Sequence, residues 1–426
     1  MIIFYSLNII ISLILMFWPL WFSVRWLNLP RLNPFTMAMM VAIPIDIFRT
    51  FLGPLVLIDG GLLDKGYQFA ILMTNFSIIF KIFGIIFFIK LFHYIKLDKL
   101  SFFYKSIKFE IIDMRISCRL FLLLYFFALY VLASSEFGLV NWMLNPRQGY
   151  QFYRAGQGYW YAIAVSSLSI SYLLSILSDF NVKNIIIKTI IYITFSYLLG
   201  SKGEYFSIFT ASLVFLWFLK WRYLSRIFFM GSFLVFGVAI FNLYQASGDS
   251  FELGSLISYF DHYKNAADYY RAYLDGSISL FGGDVYLSSF WGALPKAFFP
   301  DKPSIYGILK VVELFYPGMS DLGFTPAFDG AVEYFCDFGF FGVMVFSFFS
   351  AQSFSIALIS FFLFWNKDTS LFDKTSLSMA AILIIGYAPS FGAYFTSGLY
   401  ILLLILVLLL MRTVKMFRRA LFWDIR

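Results

Sequence analysis

The chemistry of this chain starts from two arginines seven residues apart. Arg147 and Arg154 stand in NPRQGYQFYRAGQG, residues 145–158. Seven residues make about two helical turns, so on a helix both would share a face. The planar guanidinium fork suits phosphate oxygens, and Tyr153, between them, has a ring that could lie against a sugar. Lys202 sits in GSKGE, a glycine-flanked turn between two apolar runs. Free backbone N–H groups at such a helix start also favour an anion, although the spacing is not that of a nucleotide-binding P-loop. Arg271, Lys296 and Lys302 follow downstream. Each cation has a plainer role open to it. The arginines could cap a span and reach lipid headgroups, Lys202 could be an ordinary turn lysine, and Arg271, in an acidic stretch, could pair locally.

Two carboxylates stand out in TPAFDGAVEYFCDFG, residues 325–339. Asp329 and Glu333 are four apart, which stacks them on one helical face, with Thr325-Pro326 as the helix start. A carboxylate among aromatics at a membrane mouth can act as a general base. The alternative is a pair of acids complementing a helix N-terminus. His262 reads first as a solvated loop histidine. Asp46 and Arg49, three apart, read as a mutual ion pair, and Lys81 as an intramembrane lysine without a partner; such charges are costly and often functional.

The elements that must carry these groups are apolar spans. The 426 residues are 61% hydrophobic and 13% charged, with a mean hydropathy of +0.81. Soluble domains carry about 25% charged residues, so the deficit indicates a polytopic membrane protein. Apolar runs predict about 11 spans (10–12), near 2–22, 35–58, 69–92, 120–142, 159–177, 185–200, 205–221, 227–245, 338–364, 375–392 and 397–411. The second is broken by Pro44 and Pro54. The N-terminus lacks a basic flank and a small-residue cleavage site, so it reads as a retained span.

Basic loops orient the spans. His93–Arg119 carries Lys96, Lys99, Lys105, Lys108, Arg115 and Arg119 and is expected to be cytoplasmic. Counting outward, the basic segments 24–34, 178–184, 220–226, 366–374 and 412–426 fall on the same side. The chain then divides into residues 1–244 with a short outer loop at 143–158, a large outer loop at 245–337, and C-terminal spans with a basic tail at 338–426. The large loop holds twelve of the chain's 24 acidic residues. A loop of this length is usually functional. Within it, 253–275 and 304–315 show helical spacing, and both could lie on the bilayer with their aromatic side down.

The net charge of +8 is spread over short loops, which fits cytoplasmic Lys and Arg better than a nucleic-acid partner. The two cysteines, Cys118 and Cys336, fall on opposite sides of the membrane in this frame, so a disulfide is not expected. No metal-ligand spacing and no nucleotide signature is present, so no cofactor is expected. Outer cations, a carboxylate at the membrane mouth and an aromatic loop suit a sugar carried on a lipid pyrophosphate. Cations there would stabilise charge on a departing pyrophosphate.

The sequence resembles the Wzy-type O-antigen polymerases, which join oligosaccharide repeat units of bacterial surface polysaccharides. The resemblance is carried by NPRQGYQFYRAGQG (145–158), LLGSKGEYFSI (198–208), ALPKAFFPDKP (293–303) and GFTPAFDGAVEYFCDFGFFG (323–342). It implies an all-α, GT-C-like glycosyltransferase in the bacterial inner membrane, with its active site facing the periplasm. Its substrate would be an undecaprenyl-pyrophosphate-linked oligosaccharide, with membrane lipids and a polysaccharide chain-length regulator as partners. The outer-loop arginines essential in such enzymes match Arg147 and Arg154 by position, with Arg271, Lys296 and Lys302 as further candidates; many members have Arg where this turn has Lys202. An O-antigen ligase of the same fold and a lipid-linked oligosaccharide flippase are the rival readings. A flippase would show internal repeats and short loops, and neither is present.

Overall fold

The computed structural model describes residues 2–26, 31, 33–94, 111–134, 138–150, 158–219, 222–247, 263–294, 299–319, 326–329, 331–366, 413 and 416. The longer helices are α1 (Ile2–Met16), α2 (Pro34–Ile47), α3 (Gly53–Leu57), α4 (Lys65–Tyr94), α5 (Ile111–Ala133), α6 (Gly158–Ser178), α7 (Val182–Tyr197), α8 (Lys202–Phe218), α9 (Leu224–Ser247), α10 (Tyr263–Leu274), α11 (Leu309–Phe315) and α12 (Val332–Asn366). Among the described residues there is no strand. Among the described residues five helices are long and apolar enough to cross a membrane: Ile3–Trp21, Lys65–Leu91, Ile111–Ala133, Gly158–Ser178 and Val332–Gln352. Helices α7, α8 and α9 occupy the runs expected near 185–200, 205–221 and 227–245. The last two expected spans lie outside the described residues.

The expected second span is the broken one. Asn33 and Thr36 cap α2 reciprocally, Asn33 N–H donating to Thr36 Oγ1 (2.9 Å) and Thr36 N–H to Asn33 Oδ1 (3.1 Å), with Pro34 at the first helical position. Pro44 lies inside α2, a π-helical turn follows at Phe48–Leu52, and α3 is a single turn opened by Pro54. Proline removes an interior hydrogen bond, and π-turns often mark functional positions. Arg49 is carried on this turn.

The chain forms two compact units, 1–88 with 247–352 and 390–393, and 89–246 with 353–389 and 394–426. In the first, α10 packs against the N-terminal part of α4. Gly66 makes this possible, because a Cβ there would lie 2.2 Å from the Ala267 carbonyl oxygen. Tyr67, Ala70 and Ile71 of α4 meet Tyr263, Ala266, Ala267 and Tyr270 of α10, with Val311 of α11 and Phe335 of α12 in the same core. Phe335 sits edge-on to Tyr270 and Tyr273, with ring centroids 5.1 and 5.0 Å away. The aromatic face of α10 therefore turns inward onto protein, which corrects the expectation that it lies on lipid. Tyr263, Tyr269 and Tyr270 of α10 are buried in this core, at about 1.5–3 kcal/mol per fully buried large side chain. The helix expected from 253 is described from Tyr263, and the one expected from 304 starts at Leu309; residues 248–262, including His262, lie outside the described residues.

In the second unit α6 is the central helix, with Ser166, Ser167, Ser171, Ser175 and Ser178 all buried. Small residues let membrane helices approach closely, and their hydroxyls bond across the seam. Ser171 Oγ donates to the Cys118 carbonyl (2.9 Å), and Tyr172 and Thr189 share a hydrogen bond of 2.8 Å. Cys118 and Cys336 are free thiols.

Candidate functional site

In the second unit the structure brings two separate sequence motifs together. Trp142 is fully buried, and its Nε1 donates to the Leu198 carbonyl at 2.8 Å. Gly149 lies flat on that indole, since a Cβ would come within 2.5 Å of Cε3. The turn Pro146–Gln148 then meets Gly200, whose φ of +70° and 2.1 Å clearance from the Pro146 oxygen leave no room for a side chain. Arg147 Nη1 donates to the Gly200 carbonyl (3.3 Å), and its guanidinium lies 5.2 Å from the Tyr150 ring centroid. Lys202 is the first residue of α8, after Ser201 in an extended conformation. Arg147 thus stands beside a helix N-terminus, whose dipole and unpaired N–H groups favour an anion. Tyr153 and Arg154 fall in 151–157, outside the described residues, and so does the shared helical face expected for the two arginines.

In the first unit the described cations expected in the loop already have protein partners. Arg271 pairs with Asp268 (2.9 Å) and Asp64 (3.0 Å). Burial works against its charge, and the two carboxylates outweigh that, raising its pKa above the ordinary arginine value. Asp64 does double service, because its other oxygen accepts from Tyr67 N–H (2.9 Å) and caps α4. Lys302 donates to the Leu294 carbonyl at 2.9 Å and lies 4.6 Å from the Tyr306 ring. Lys310 pairs with Asp284 at 2.5 Å. Lys296 lies outside the described residues.

The carboxylates separate. The chain at 326–329 is irregular, Ala331 takes φ 59°, and α12 begins only at Val332. The expected shared face of Asp329 and Glu333 is therefore corrected: Asp329 precedes the helix, and Glu333 stands on its first turn. A non-glycine residue in the left-handed region breaks helical register at that point. Asp329 pairs with Arg49 at 3.3 Å, shorter than the 3.9 Å from Arg49 to Asp46. Arg49 thus bridges two carboxylates rather than serving Asp46 alone, and sequence spacing could not reveal the second. Glu333 is exposed, and among the described residues its carboxylate makes no hydrogen bond or ion pair. Lys81 of α4 likewise makes none among them.

A third carboxylate, Asp337, is buried and structural. It accepts from the backbone N–H groups of Gly283 (3.0 Å), Val285 (3.1 Å) and Tyr286 (2.5 Å). The helix is kinked at Gly339 (φ 60°, ψ −144°), and the carbonyls of Cys336 and Asp337 accept from Phe281 and Gly282 instead. FGGDVY is thereby stitched onto the start of α12, near Glu333. Among the described residues no three His, Cys, Asp or Glu side chains gather as metal ligands would.

Among the described residues the elements are all helical, five of them long and apolar enough to cross a membrane; one unit carries an arginine beside a glycine turn, and the other an exposed carboxylate on the first turn of a long apolar helix. Comparison with known proteins narrows the class. The chain is 29% identical over 222 residues to the O-antigen polymerases of Salmonella typhimurium and Salmonella typhi, a match covering 50% of this chain and 52% of each relative. It thus spans about half the length of the curated relatives it matches, and these relatives support the resemblance to the Wzy-type O-antigen polymerases. No family model and no solved structure matches it.

Proposed function

We propose that this chain is a glycosyltransferase that polymerises oligosaccharide repeat units carried on undecaprenyl pyrophosphate, at the periplasmic face of the bacterial inner membrane. The observation that carries this reading is the 29% identity over 222 residues to two O-antigen polymerases. Arg147 and Arg154, with Lys202, hold the donor pyrophosphate. Lys302, Lys296 and Arg271 shape the large loop over the glycan, and Tyr153 offers it a ring face. Glu333 takes the proton from the acceptor hydroxyl. The hydroxyl oxygen then forms a bond to the donor anomeric carbon, and the bond from that carbon to the pyrophosphate oxygen breaks. Undecaprenyl pyrophosphate leaves with the electron pair, its charge met by the arginines. Asp329, held by Arg49, supports this arrangement rather than taking the proton. The step as written needs no metal. The large outer loop, the domain division at 245 and 338, and a chain-length regulator as partner belong to the same proposal.

The test is a strain lacking the chain, with its lipopolysaccharide resolved on a gel. Core bearing one repeat unit, restored to a ladder by the wild-type gene, is the expected result. Core alone points to the ligase or flippase, and an unchanged ladder removes the chain from the pathway.

A further inference from the structure

We propose that Arg49 is a positioning residue for the general-base carboxylate: through Asp329 it holds the segment from which α12, and with it Glu333, begins. This rests on the polymerase reading and on Glu333 as its base. The segment 326–329 has no regular secondary structure. It leads into Ala331, whose left-handed φ of 59° costs about 1–2 kcal/mol for a residue with a Cβ. Such a segment keeps one course only if side chains hold it. Three contacts do so. Arg49 pairs with Asp329, Asn265 Nδ2 donates to the Ala327 carbonyl at 2.7 Å, and Phe328 packs on Phe315 with centroids 6.2 Å apart. Asn265 is itself held by the Tyr316 hydroxyl at 2.5 Å.

The Arg49 contact is the charged one, and its base is anchored. Thr50, next to it on the π-turn, is buried, and its carbonyl accepts from Tyr67 OH at 2.6 Å. Tyr67 belongs to α4, so the π-turn is tied to a long helix that packs on α10. Glu333 stands four residues beyond Asp329, on the first turn of α12, and a shift of the segment carries it along. A direct grip by Arg49 on a substrate anion is disfavoured by charge, because Asp46 and Asp329 already give the guanidinium two negative neighbours.

The experiment uses the full chain in proteoliposomes with lipid-pyrophosphate-linked repeat units, comparing Arg49→Ala, Asp329→Asn, the double variant and Arg49→Lys. Misplacing a reacting group by about 1 Å costs about 10²-fold. Each single variant is therefore expected to lose about 10²-fold in kcat with KM unchanged. The double is expected to fall no further than either single, and Arg49→Lys to recover part of the rate. A raised KM with kcat intact overturns the proposal in favour of substrate contact. Losses that multiply in the double overturn the coupling. Loss of rate matched by loss of inserted protein, without rescue by Arg49→Lys, reduces Arg49 to a structural role. A wild-type chain that makes no polymer, or a Glu333→Gln variant as active as wild type, overturns the polymerase or base reading, and the positioning role with it; wild-type polymerisation with unaffected Arg49 variants overturns the positioning role alone.

Discussion

At the scale of single residues, charge neutralisation separates the groups tied up in the fold from those given a role in the proposed mechanism. Arg271 pairs with Asp268 and Asp64, Lys302 donates to the Leu294 carbonyl, and Lys310 pairs with Asp284. Asp337 spends its carboxylate on three backbone N–H groups. Arg147 has a carbonyl and a ring as its described partners, and Glu333 is exposed; neither has an opposite charge cancelling it among the described residues. Removing one preorganised donor costs about 10²–10³-fold in rate, so Arg147→Ala is expected to collapse the polymer ladder at normal protein level. Arg147→Lys, lacking the planar fork, is expected to recover it only in part. Glu333→Gln is expected to lose about 10²-fold or more, the usual contribution of a general base. An unchanged ladder in either Arg147→Ala or Glu333→Gln removes that residue from the mechanism.

At the scale of elements, close backbone approach and one buried anion hold the loop to the membrane helices. Gly66 brings α10 against α4, and any larger residue meets the Ala267 carbonyl. Overpacking of this kind costs about 1–3 kcal/mol, so Gly66→Val is expected to lower the melting temperature in detergent and expose 263–319 to protease. Asp337→Ala leaves three backbone donors without their acceptor, at about 1–3 kcal/mol for each buried group left unsatisfied. It is expected to be the more damaging of the two in the same melt. A melt unchanged by Asp337→Ala means that water replaces the carboxylate there. The helical spacing of 263–274 was visible in the sequence, and so was the amphipathic face. The wrong partner was assigned to that face, because lipid and a protein core make the same demand on an apolar stripe.

At the scale of the whole molecule, the spans and their orientation decide which groups meet the same solution. On the expected eleven-span count the basic segments fall on the side of 93–119, the pattern of cytoplasmic loops, and this orientation is part of the proposal. A single cysteine replacing Ser106 is expected to react with a membrane-impermeant maleimide only after the cytoplasm is opened. One replacing Ser277, which is exposed just after α10, is expected to react in cells with a permeabilised outer membrane alone. Equal labelling of both from one side overturns the orientation.

Hydropathy was enough to find five membrane-length helices among the described residues and the break in the second span, because lipid imposes length and composition on each segment independently of the others; the one expected near 120–142 runs instead over Ile111–Ala133, so Arg115 and Arg119 lie on the helix rather than in the loop expected at 93–119. Local spacing was enough to expect a local ion pair for Arg271, since residues three apart on a helix are neighbours, and Asp268 supplies it. Contacts between distant segments were not legible. Arg49 has an acid three residues away in the sequence, yet it comes closer to Asp329, near the other end of the chain. The Arg147 turn and the Gly200 turn read as two motifs, and one hydrogen bond with a carbonyl approach that tolerates no Cβ makes them one. The same holds for Asp329 and Glu333. Their spacing promised a common face, but a single left-handed residue at Ala331 parted them, and that conformation is paid for by packing from α10, α11 and the π-turn, none of which is adjacent in sequence.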